Sequence, residues 1–353
     1  MIPRTCQTQA SNGSRLENHG VAFAAKVAYL IRPESYPERT AAVDVVQTHM
    51  SFVFLTDRHA YKLKKPVRYE FLDFSTLAAR HADCREEMRL NRRLAGDVYL
   101  DLVALTQAAG GQLQLAGDGE TVEWLVKMRR LPRKRMLDRA ISAGRVSRDD
   151  VRQFMLVLAD FYARAEPVAM SADEYRQRFE RDIRANHREL SFPEYGIDGA
   201  LNQSTASAQL ALLEMAGELL ARRADDGMIV EGHGDLRPEH VFLGPEPRFI
   251  DCLEFNRAWR LLDPVEEIAH LSLECEYAGA QWISDVALDI YCERTGDAPA
   301  AQLVRFYKSV RASLRAKLSV WHLRDHLEPA AREKWIGRAR RYLELASRYA
   351  STP

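Results

Sequence analysis

Two carboxylates at the ends of a short predicted hairpin are the residues of this sequence best suited to chemistry. Asp235 lies in the polar stretch Glu231–Leu243, and Asp251 follows a short apolar run. A strand from Val241 to Leu243, a turn over Gly244–Pro247 and a second strand would form a hairpin. Such a hairpin delivers both carboxylates to one end.

This pair of carboxylates suits phosphoryl transfer, a reaction that asks for positioning more than for covalent chemistry. One carboxylate orients the attacking hydroxyl and accepts its proton, and another holds the Mg²⁺ that bridges the phosphates. We assign these tasks to Asp235 and Asp251. His233 precedes Asp235 by two positions and His240 follows it by five. This spacing is comparable to that of the protein kinase catalytic loop, where an Asn occupies the later position.

The loop resembles that of the aminoglycoside phosphotransferase family, the small-molecule branch of the protein-kinase-like fold. The resemblance is carried by His233-Gly234-Asp235, the hairpin and Asp251. It implies an α+β, bilobal fold with a small antiparallel-sheet N-lobe, one long helix and a larger, mainly helical C-lobe. It also implies ATP and Mg²⁺ as cofactors, and catalytic roles for Asp235, His233 and His240. The competing interpretation is a surface hairpin with solvated turn residues.

His240 departs from the family, which has Asn at this position. Imidazole is a poor Mg²⁺ ligand because Mg²⁺ prefers oxygen. Three outcomes are open: one metal held by Asp251, a second site completed by Glu239 or Glu254, or nucleotide binding with little catalysis. His240 is kept as a candidate metal ligand, and as a hydrogen-bond donor that positions Asp235.

Three short strand-like runs precede this region, and in the resembling family they begin the nucleotide-binding lobe. They are Val43–Gln47, Ser51–Leu55 and Ala60–Lys64. The first turn contains no glycine, so phosphate contacts there stay open. Lys62 matches the strand lysine that contacts the phosphates. Strand alternation places Lys64 on the same face, and lysines that protect a sheet edge are the alternative.

A helical pattern from Ser75 to about Ala95 places Glu87 in a core-facing stripe. A buried carboxylate needs a cationic partner, and we expect Lys62. Pairing with Arg80, or contact with water, is the alternative. A later strand, Val122–Met128, leads into a hinge near Lys127–Leu131, and Met128 is our nucleotide-binding candidate there, placed by order alone.

The chain is expected to comprise a flexible tail over residues 1–20, an N-lobe over 21–128 and a helical C-lobe over 129–353. The catalytic hairpin occupies residues 231–255 of the C-lobe. Helical patterns cover most of the remaining C-lobe: residues 137–165, 172–190, 202–224, a helix from about 262, and most of 284–349. The stretch from Phe192 to Ser204 is expected to be a loop, and Asp263 to cap a helix that begins with Pro264.

Composition sets outer bounds on function. The 353 residues are 46% hydrophobic, and 50 basic residues balance 50 acidic ones. A net charge of zero predicts neither a nucleic-acid partner nor an anionic membrane surface. Five cysteines occur singly, which favours a reducing cytoplasm over a disulfide or zinc framework. No apolar run has the length of a membrane span. Oligomeric state is left open.

These observations predict an ATP-dependent phosphotransferase that moves the γ-phosphate to a hydroxyl of a small polar molecule. An aminoglycoside-like antibiotic, a sugar, an amino alcohol and other metabolites all qualify as acceptor. A catalytically weak nucleotide-binding regulator is the main alternative, because of His240 and the missing glycines. Transfer of phosphate or of AMP to a protein is a further one. The acceptor depends on pocket shape, which the pattern does not specify.

Overall fold

A computed structural model describes residues 21–324 and 327–351. The predicted tail over residues 1–20 lies outside them. The chain divides into two compact units. The first contains the described residues up to Cys84 together with Leu100–Arg130, and the second contains Arg85–Tyr99 and the chain from Leu131 onwards. The predicted boundary at residues 128 and 129 lies close to the third crossing, at residues 130 and 131, whereas the assignment of residues 85–99 to the second unit was not predicted.

The first unit is built on a six-stranded sheet with the order β1-β2-β3-β8-β6-β7. Its first three strands form an antiparallel meander in which Val53 lies opposite Lys62. Its core includes Phe54, Tyr61 and Leu125. The elements up to β8 are helix α1 (Phe23–Leu30), β1 (Asp44–Gln47), β2 (Ser51–Leu55), β3 (His59–Lys64), the short hairpin β4 (Arg68–Tyr69) and β5 (Leu72–Asp73), helix α2 (Leu77–Ala95), β6 (Tyr99–Gln107), β7 (Leu113–Leu115) and β8 (Glu120–Arg129). Helix α2 belongs to this unit only as far as Cys84, and its later residues belong to the second unit.

A buried carboxylate in β8 pairs with two basic side chains of this unit. Glu123 is fully buried, accepts hydrogen bonds from Arg80 Nε at 3.0 Å and Nη2 at 2.7 Å, and lies 3.1 Å from Lys26 Nζ. Burial of a carboxylate costs free energy unless it is paired and hydrogen-bonded. Arg80 is therefore the partner of Glu123.

The second unit is mainly helical. Its helices beyond α2 are α3 (Leu137–Ser142), α4 (Arg148–Arg164), α5 (Ala172–Leu190), α6 (Gly199–Met215), α7 (Gly217–Asp225), α8 (Pro264–Tyr277), α9 (Trp282–Thr295), α10 (Ala301–Trp321) and α11 (Pro329–Ser351). Its strands are β9 (Val230–Glu231), β10 (Val241–Phe242), β11 (Arg248–Phe249) and β12 (Leu261–Leu262), which form two antiparallel pairs, β10 with β11 and β9 with β12. None of the helices in the described part of the chain combines the length and apolar character that a membrane crossing requires.

Local capping signals set several helix starts. Ser147 and Ser171 form capping boxes with Asp150 and Glu174. Asp198 accepts hydrogen bonds from two amides of α6. The predicted loop up to Ser204 is therefore too long, because this cap starts the helix at Gly199.

Two predicted long helices are each divided in two. The pattern over residues 137–165 gives α3 and α4, because Gly144 adopts the left-handed conformation, with φ of +60°, and ends the first helix. The pattern over residues 202–224 gives α6 and α7, which are separated at Ala216.

Helix α8 is buried along its length, from Pro264 to Glu276. Asp263 caps it by accepting from the Val265 amide at 2.9 Å, as predicted. The cap is not its whole role, because the carboxylate also pairs with Arg223 at 2.7 Å and accepts from Tyr307.

The charged cluster around Glu123 makes a stability prediction. Glu123→Gln leaves Arg80 and Lys26 without their carboxylate, and we expect the free energy of unfolding to fall by about 3–5 kcal/mol. Urea denaturation measures this loss. The matched control is Glu218→Gln, which removes a highly exposed partner of Arg222 and should change stability by less than about 1 kcal/mol. Equal losses in both variants would contradict a dominant buried pair.

Candidate active site

The hairpin of β10 and β11 gathers the predicted site residues of the second unit. Val241 lies opposite Phe249, and the Ile250 amide donates to the His240 carbonyl oxygen at 3.0 Å. This register puts His240 beside Asp251, with 3.5 Å between His240 Nε2 and Asp251 Oδ2. His240 Nδ1 lies 3.9 Å from Asp235 Oδ2. The structure thus brings Asp235, His240 and Asp251 into one cluster.

Asp235 is partly open to solvent and tightly paired. Its side chain is 30% exposed, and Arg237 Nε donates to its Oδ2 at 3.0 Å. Arg237 also donates to Glu239 Oε1 at 2.5 Å and lies 3.2 Å from His240 Nε2. The guanidinium of Arg237 therefore contacts the side chains of Asp235, Glu239 and His240.

Arg237 was missed by the sequence interpretation, although a cation two positions after Asp235, the predicted catalytic aspartate, was visible. It affects the electrostatics of the site. Burial raises the pKa of the Asp235 carboxyl, but the positive charge of Arg237, with a smaller contribution from Arg315, outweighs burial and holds this pKa well below its usual range. The carboxylate is consequently ionised at neutral pH.

Glu267 of α8 holds the catalytic loop by its backbone. Its carboxylate accepts from the amides of His233 at 2.9 Å and Gly234 at 2.5 Å, and from the Tyr162 hydroxyl at 2.6 Å. A side chain at Gly232 would bring its Cβ within 2.7 Å of this carboxylate. Gly234 has a φ of +86°, which favours glycine. The glycines therefore allow the loop to approach the carboxylate.

His233 is fully buried beneath the loop. Its Nε2 lies 2.8 Å from the Ile250 carbonyl oxygen, so this nitrogen carries a proton and donates. The Leu253 amide donates to the His233 carbonyl oxygen at 2.9 Å. His233 thus ties the loop to the chain on both sides of Asp251. The structure gives it a positioning role and no exposed surface for a substrate.

Asp251 adopts a left-handed backbone conformation, with φ of +63°, that is uncommon for residues other than glycine. Hydrogen bonds with Asn91 of α2 and with Tyr99, the first residue of β6, hold this part of the backbone in place. The Asp251 amide donates to the Tyr99 hydroxyl at 3.0 Å, and the Cys252 amide donates to Asn91 Oδ1 at 2.9 Å. Asn91 in turn donates to the Glu87 carbonyl oxygen at 2.9 Å. Strain at a functional residue persists where its surroundings fix it in this way.

An arginine cluster fixes both ends of the loop segment. Arg93 donates to the carbonyl oxygens of Glu231 at 2.7 Å and Gly232 at 2.8 Å. Arg260, which is buried, pairs with the Glu231 carboxylate at 3.1 Å and donates to the Glu254 carbonyl oxygen at 3.1 Å. The sequence contains no local signal for the contacts of Arg93, because they join residues far apart in the chain.

The side chains near Asp251 offer few oxygen ligands for Mg²⁺. Asp251 presents a carboxylate that is 49% exposed and suits Mg²⁺. His240 presents a nitrogen, and Glu239 is engaged by Arg237. Among residues 21–324 and 327–351, no group of three or more His, Cys, Asp or Glu side chains could hold a metal by itself. Phosphate oxygens would therefore have to complete the coordination shell, as is usual for Mg²⁺ in kinases.

Lys62, Met128 and Glu87 are the residues predicted to bind the nucleotide. Lys62 is half-buried in β3, and its neighbour Lys64 is buried and pairs with Asp83 at 2.5 Å. Met128 lies in β8 opposite Ala60, close to where the chain crosses between the units. Glu87 is fully buried in the part of α2 that belongs to the second unit. The pairing of Lys62 with Glu87 stays a prediction.

Comparison with curated proteins gives three similar sequences. They are uncharacterized proteins of Mycobacterium bovis and of two strains of Mycobacterium tuberculosis, each 32% identical over 281 residues. The alignments cover 78% of this chain and 54% of each relative. The chain thus spans about half the length of these relatives. No family model matches the sequence.

Comparison with solved structures identifies the fold. A choline/ethanolamine kinase family protein from Mesorhizobium loti has a TM-score of 0.50 at 13% identity, over 92% of this chain and 98% of its own. For choline kinase LicA from Streptococcus pneumoniae the TM-score is 0.50 at 15% identity, over 86% and 94%. A thermostable mutant of aminoglycoside phosphotransferase APH(4)-Ia, solved with AMP-PNP and hygromycin B, reaches 0.52 at 13% identity, over 94% and 100%. The chain has their fold, and the predicted kinase-like α+β class is confirmed.

The anchoring of Asp251 makes a second prediction. Tyr99→Phe removes the hydroxyl that accepts from the Asp251 amide, and a lost hydrogen bond costs about 1 kcal/mol. We expect the affinity for a metal–nucleotide complex to fall about three- to tenfold. Titration with Mn²⁺ and ADP, followed by thermal shift, measures the change.

The matched control is Tyr195→Phe, which removes a hydroxyl that bonds Glu189 and Arg324 elsewhere in the second unit. It should leave the affinity unchanged. Unaltered affinity in Tyr99→Phe would show that Asp251 keeps its conformation without this contact.

Proposed function

We propose that this chain, which has the kinase-like fold of choline kinases and aminoglycoside phosphotransferases, is an ATP-dependent phosphotransferase acting on a hydroxyl of a small polar molecule. The observation that carries the proposal is the cluster at the base of the hairpin. It combines an ionised, partly exposed Asp235 with Asp251 on the facing strand end. Phosphoryl transfer requires these two carboxylate functions close together.

Asp235 acts on the acceptor. Its free oxygen accepts a hydrogen bond from the acceptor hydroxyl and orients the hydroxyl oxygen towards the terminal phosphorus of ATP. A new P–O bond forms as the bond to the bridging oxygen breaks, ADP leaves, and the hydroxyl proton passes to Asp235. Arg237 keeps Asp235 ionised before transfer, because its charge lowers the carboxyl pKa.

We assign nucleotide binding to Lys62, Glu87 and Met128, and the metal to Asp251. Lys62 is proposed to contact the phosphates and Glu87 to hold Lys62 in place, with backbone atoms near Met128 contacting the adenine edge. Asp251 would hold the divalent cation, which would neutralise the charge that develops on the phosphates. The left-handed backbone of Asp251 and the hydrogen bond from its amide to Tyr99 support this role. A strained conformation persists only where the surrounding structure fixes it, and such residues cluster at functional sites.

The acceptor is proposed to be a small molecule with an alcohol group. The solved structures that share the fold are described as acting on choline or ethanolamine, or as an aminoglycoside phosphotransferase. An amino alcohol or amino sugar is therefore the first class to screen. Fold likeness alone does not carry substrate specificity, so the screen must include sugars and other alcohols.

The role of Asp235 is tested by Asp235→Asn. The amide keeps the shape of the carboxylate but cannot accept the hydroxyl proton, and general base contributions are about 10²–10⁴-fold. We expect turnover with a responsive acceptor to fall by at least about a hundredfold while nucleotide affinity is retained. Mass spectrometry of the product identifies the transferred group, since phosphate adds about 80 Da and AMP about 329 Da.

The control is Asp251→Asn, in which metal-dependent stabilisation by nucleotide should also be lost. Unchanged turnover in Asp235→Asn would remove this residue from the mechanism. Nucleotide binding without loss of phosphate to any acceptor would favour the regulatory alternative.

The charge of Arg237 makes a pH prediction. Arg237→Met removes this positive charge from the site. Burial, which raises the pKa of the Asp235 carboxyl, is then opposed by less positive charge, so this pKa rises. Because catalysis needs the ionised form, the acidic limb of kcat/KM should move to higher pH in the variant. Arg237→Lys keeps the charge and should move the limb less. Identical acidic limbs in all three proteins would contradict control of Asp235 by this charge.

A further inference from the structure

The position of His240 suggests which metal this site selects. Its imidazole is 7% exposed and is held at one end of the hairpin. Nδ1 lies 2.8 Å from the Asp235 carbonyl oxygen. A carbonyl oxygen can only accept, so Nδ1 carries the proton and donates. In the neutral ring Nε2 is then an acceptor, and this nitrogen lies 3.5 Å from Asp251 Oδ2 and 3.2 Å from Arg237 Nη2.

We propose that His240 Nε2 and Asp251 Oδ2 form a mixed nitrogen–oxygen ligand pair that makes the nucleotide-loaded protein prefer a divalent transition metal, such as Mn²⁺, over Mg²⁺. The inference rests on the proposed function, because nucleotide phosphates supply the remaining ligands. It goes beyond that function by assigning His240 as a direct ligand and by naming the class of cation.

The distance between the two atoms fits one shared ion. Ligand atoms at about 2.1 Å from a cation and at right angles to each other lie about 3 Å apart, and Nε2 and Oδ2 are separated by 3.5 Å. The hydrogen bond from the Ile250 amide to the His240 carbonyl oxygen holds the two ends of the hairpin, and so His240 and Asp251, close together. Little movement is therefore needed for both atoms to reach one cation.

The second nitrogen of the ring is arranged as in known metal sites. Histidines that bind metals almost always donate their other N–H to a carboxylate, a backbone carbonyl or water, which fixes the ring and raises its basicity. His240 makes this bond to the Asp235 carbonyl. The same bond links the ligand to the catalytic loop, so the metal site and Asp235 are held by one backbone segment.

The guanidinium of Arg237 already contacts the ring nitrogen that would bind the metal. Arg237 Nη2 is 3.2 Å from Nε2 and satisfies this nitrogen in part. Its guanidinium keeps Asp235 and Glu239 as partners if a cation replaces it at Nε2.

The nitrogen donor discriminates among cations. Mg²⁺ prefers oxygen ligands in near-octahedral geometry and loses water reluctantly, whereas first-row transition metals accept imidazole. Mn²⁺ also accepts carboxylate and phosphate oxygen, which makes it a suitable paramagnetic probe. An Asn at this position would offer oxygen instead and reverse the preference.

The test uses electron spin echo envelope modulation of Mn²⁺ bound to the full chain with AMP-PNP. Two samples are compared, one with natural-abundance histidine and one with histidine labelled with ¹⁵N in the ring. We expect ¹⁴N modulation from a directly bound imidazole that changes to ¹⁵N modulation with the label. Nitrogens of the nucleotide do not follow the label.

Two variants assign the signal to one residue. His240→Asn should remove the label-dependent modulation and lower the ratio of Mn²⁺ to Mg²⁺ affinity at least about tenfold. His187→Asn, which replaces an imidazole on α5, should leave both unchanged. Thermal melting verifies that each variant is folded.

The outcomes separate this inference from the proposed function. Mn²⁺ that binds with AMP-PNP but shows no histidine-dependent modulation would overturn the ligand role of His240 and leave the phosphotransferase proposal standing. The same holds if His240→Asn keeps the wild-type metal preference. Absence of any Mn²⁺ or Mg²⁺ binding with AMP-PNP would overturn both.

Discussion

The carboxylate of Glu267 is the interaction on which the candidate active site depends. It accepts hydrogen bonds from two consecutive backbone amides of the catalytic loop and from Tyr162. A loop with a left-handed glycine and a close approach at Gly232 has no regular secondary structure to satisfy its amides. A buried amide without a partner is costly, so this carboxylate substitutes for a strand or helix. The position of Asp235 follows from it.

Helix α8 extends the same principle through the second unit. Besides Glu267 it buries three carboxylates, each of which has cationic or hydroxyl partners. Glu266 pairs with Arg178 and with Arg311 at 2.7 Å, Glu274 pairs with Arg315 at 2.8 Å and accepts from Tyr342, and Glu276 pairs with Arg348 at 3.3 Å and accepts from Tyr349. Buried ion pairs add little net stability but are costly to break singly. The partners of these three carboxylates come from three helices, α5, α10 and α11.

The backbone at Asp251 and the loop that contains Asp235 are thus held by different elements. Tyr99 and Asn91 fix the backbone of Asp251 and Cys252, while α8 fixes the backbone before Asp235. His233 joins the two by its contacts with Ile250 and Leu253. A histidine with no exposed surface can matter for activity in this way, because a small displacement of reacting groups costs much of the rate.

The sequence by itself determined the features that depend on neighbours along the chain. The hairpin between His240 and Asp251, the meander of β1 to β3 and the cap at Asp263 follow from strand alternation, turn residues and capping chemistry, and all were predicted. Where local signals were missed, as with Gly144 and Asp198, the errors were in element boundaries.

Only the tertiary structure decided the partners of the site residues. Glu267, Tyr99 and Asn91 lie tens of residues or more from the backbone groups that they bind, and the role of Arg237 depends on three side chains that converge in space. The proton position on His240 is set by a carbonyl whose direction only the folded loop defines. Periodicity and spacing describe which residues share a strand or a helix face; long-range polar contacts depend on how those elements pack, and this is where the chemistry of the site is set.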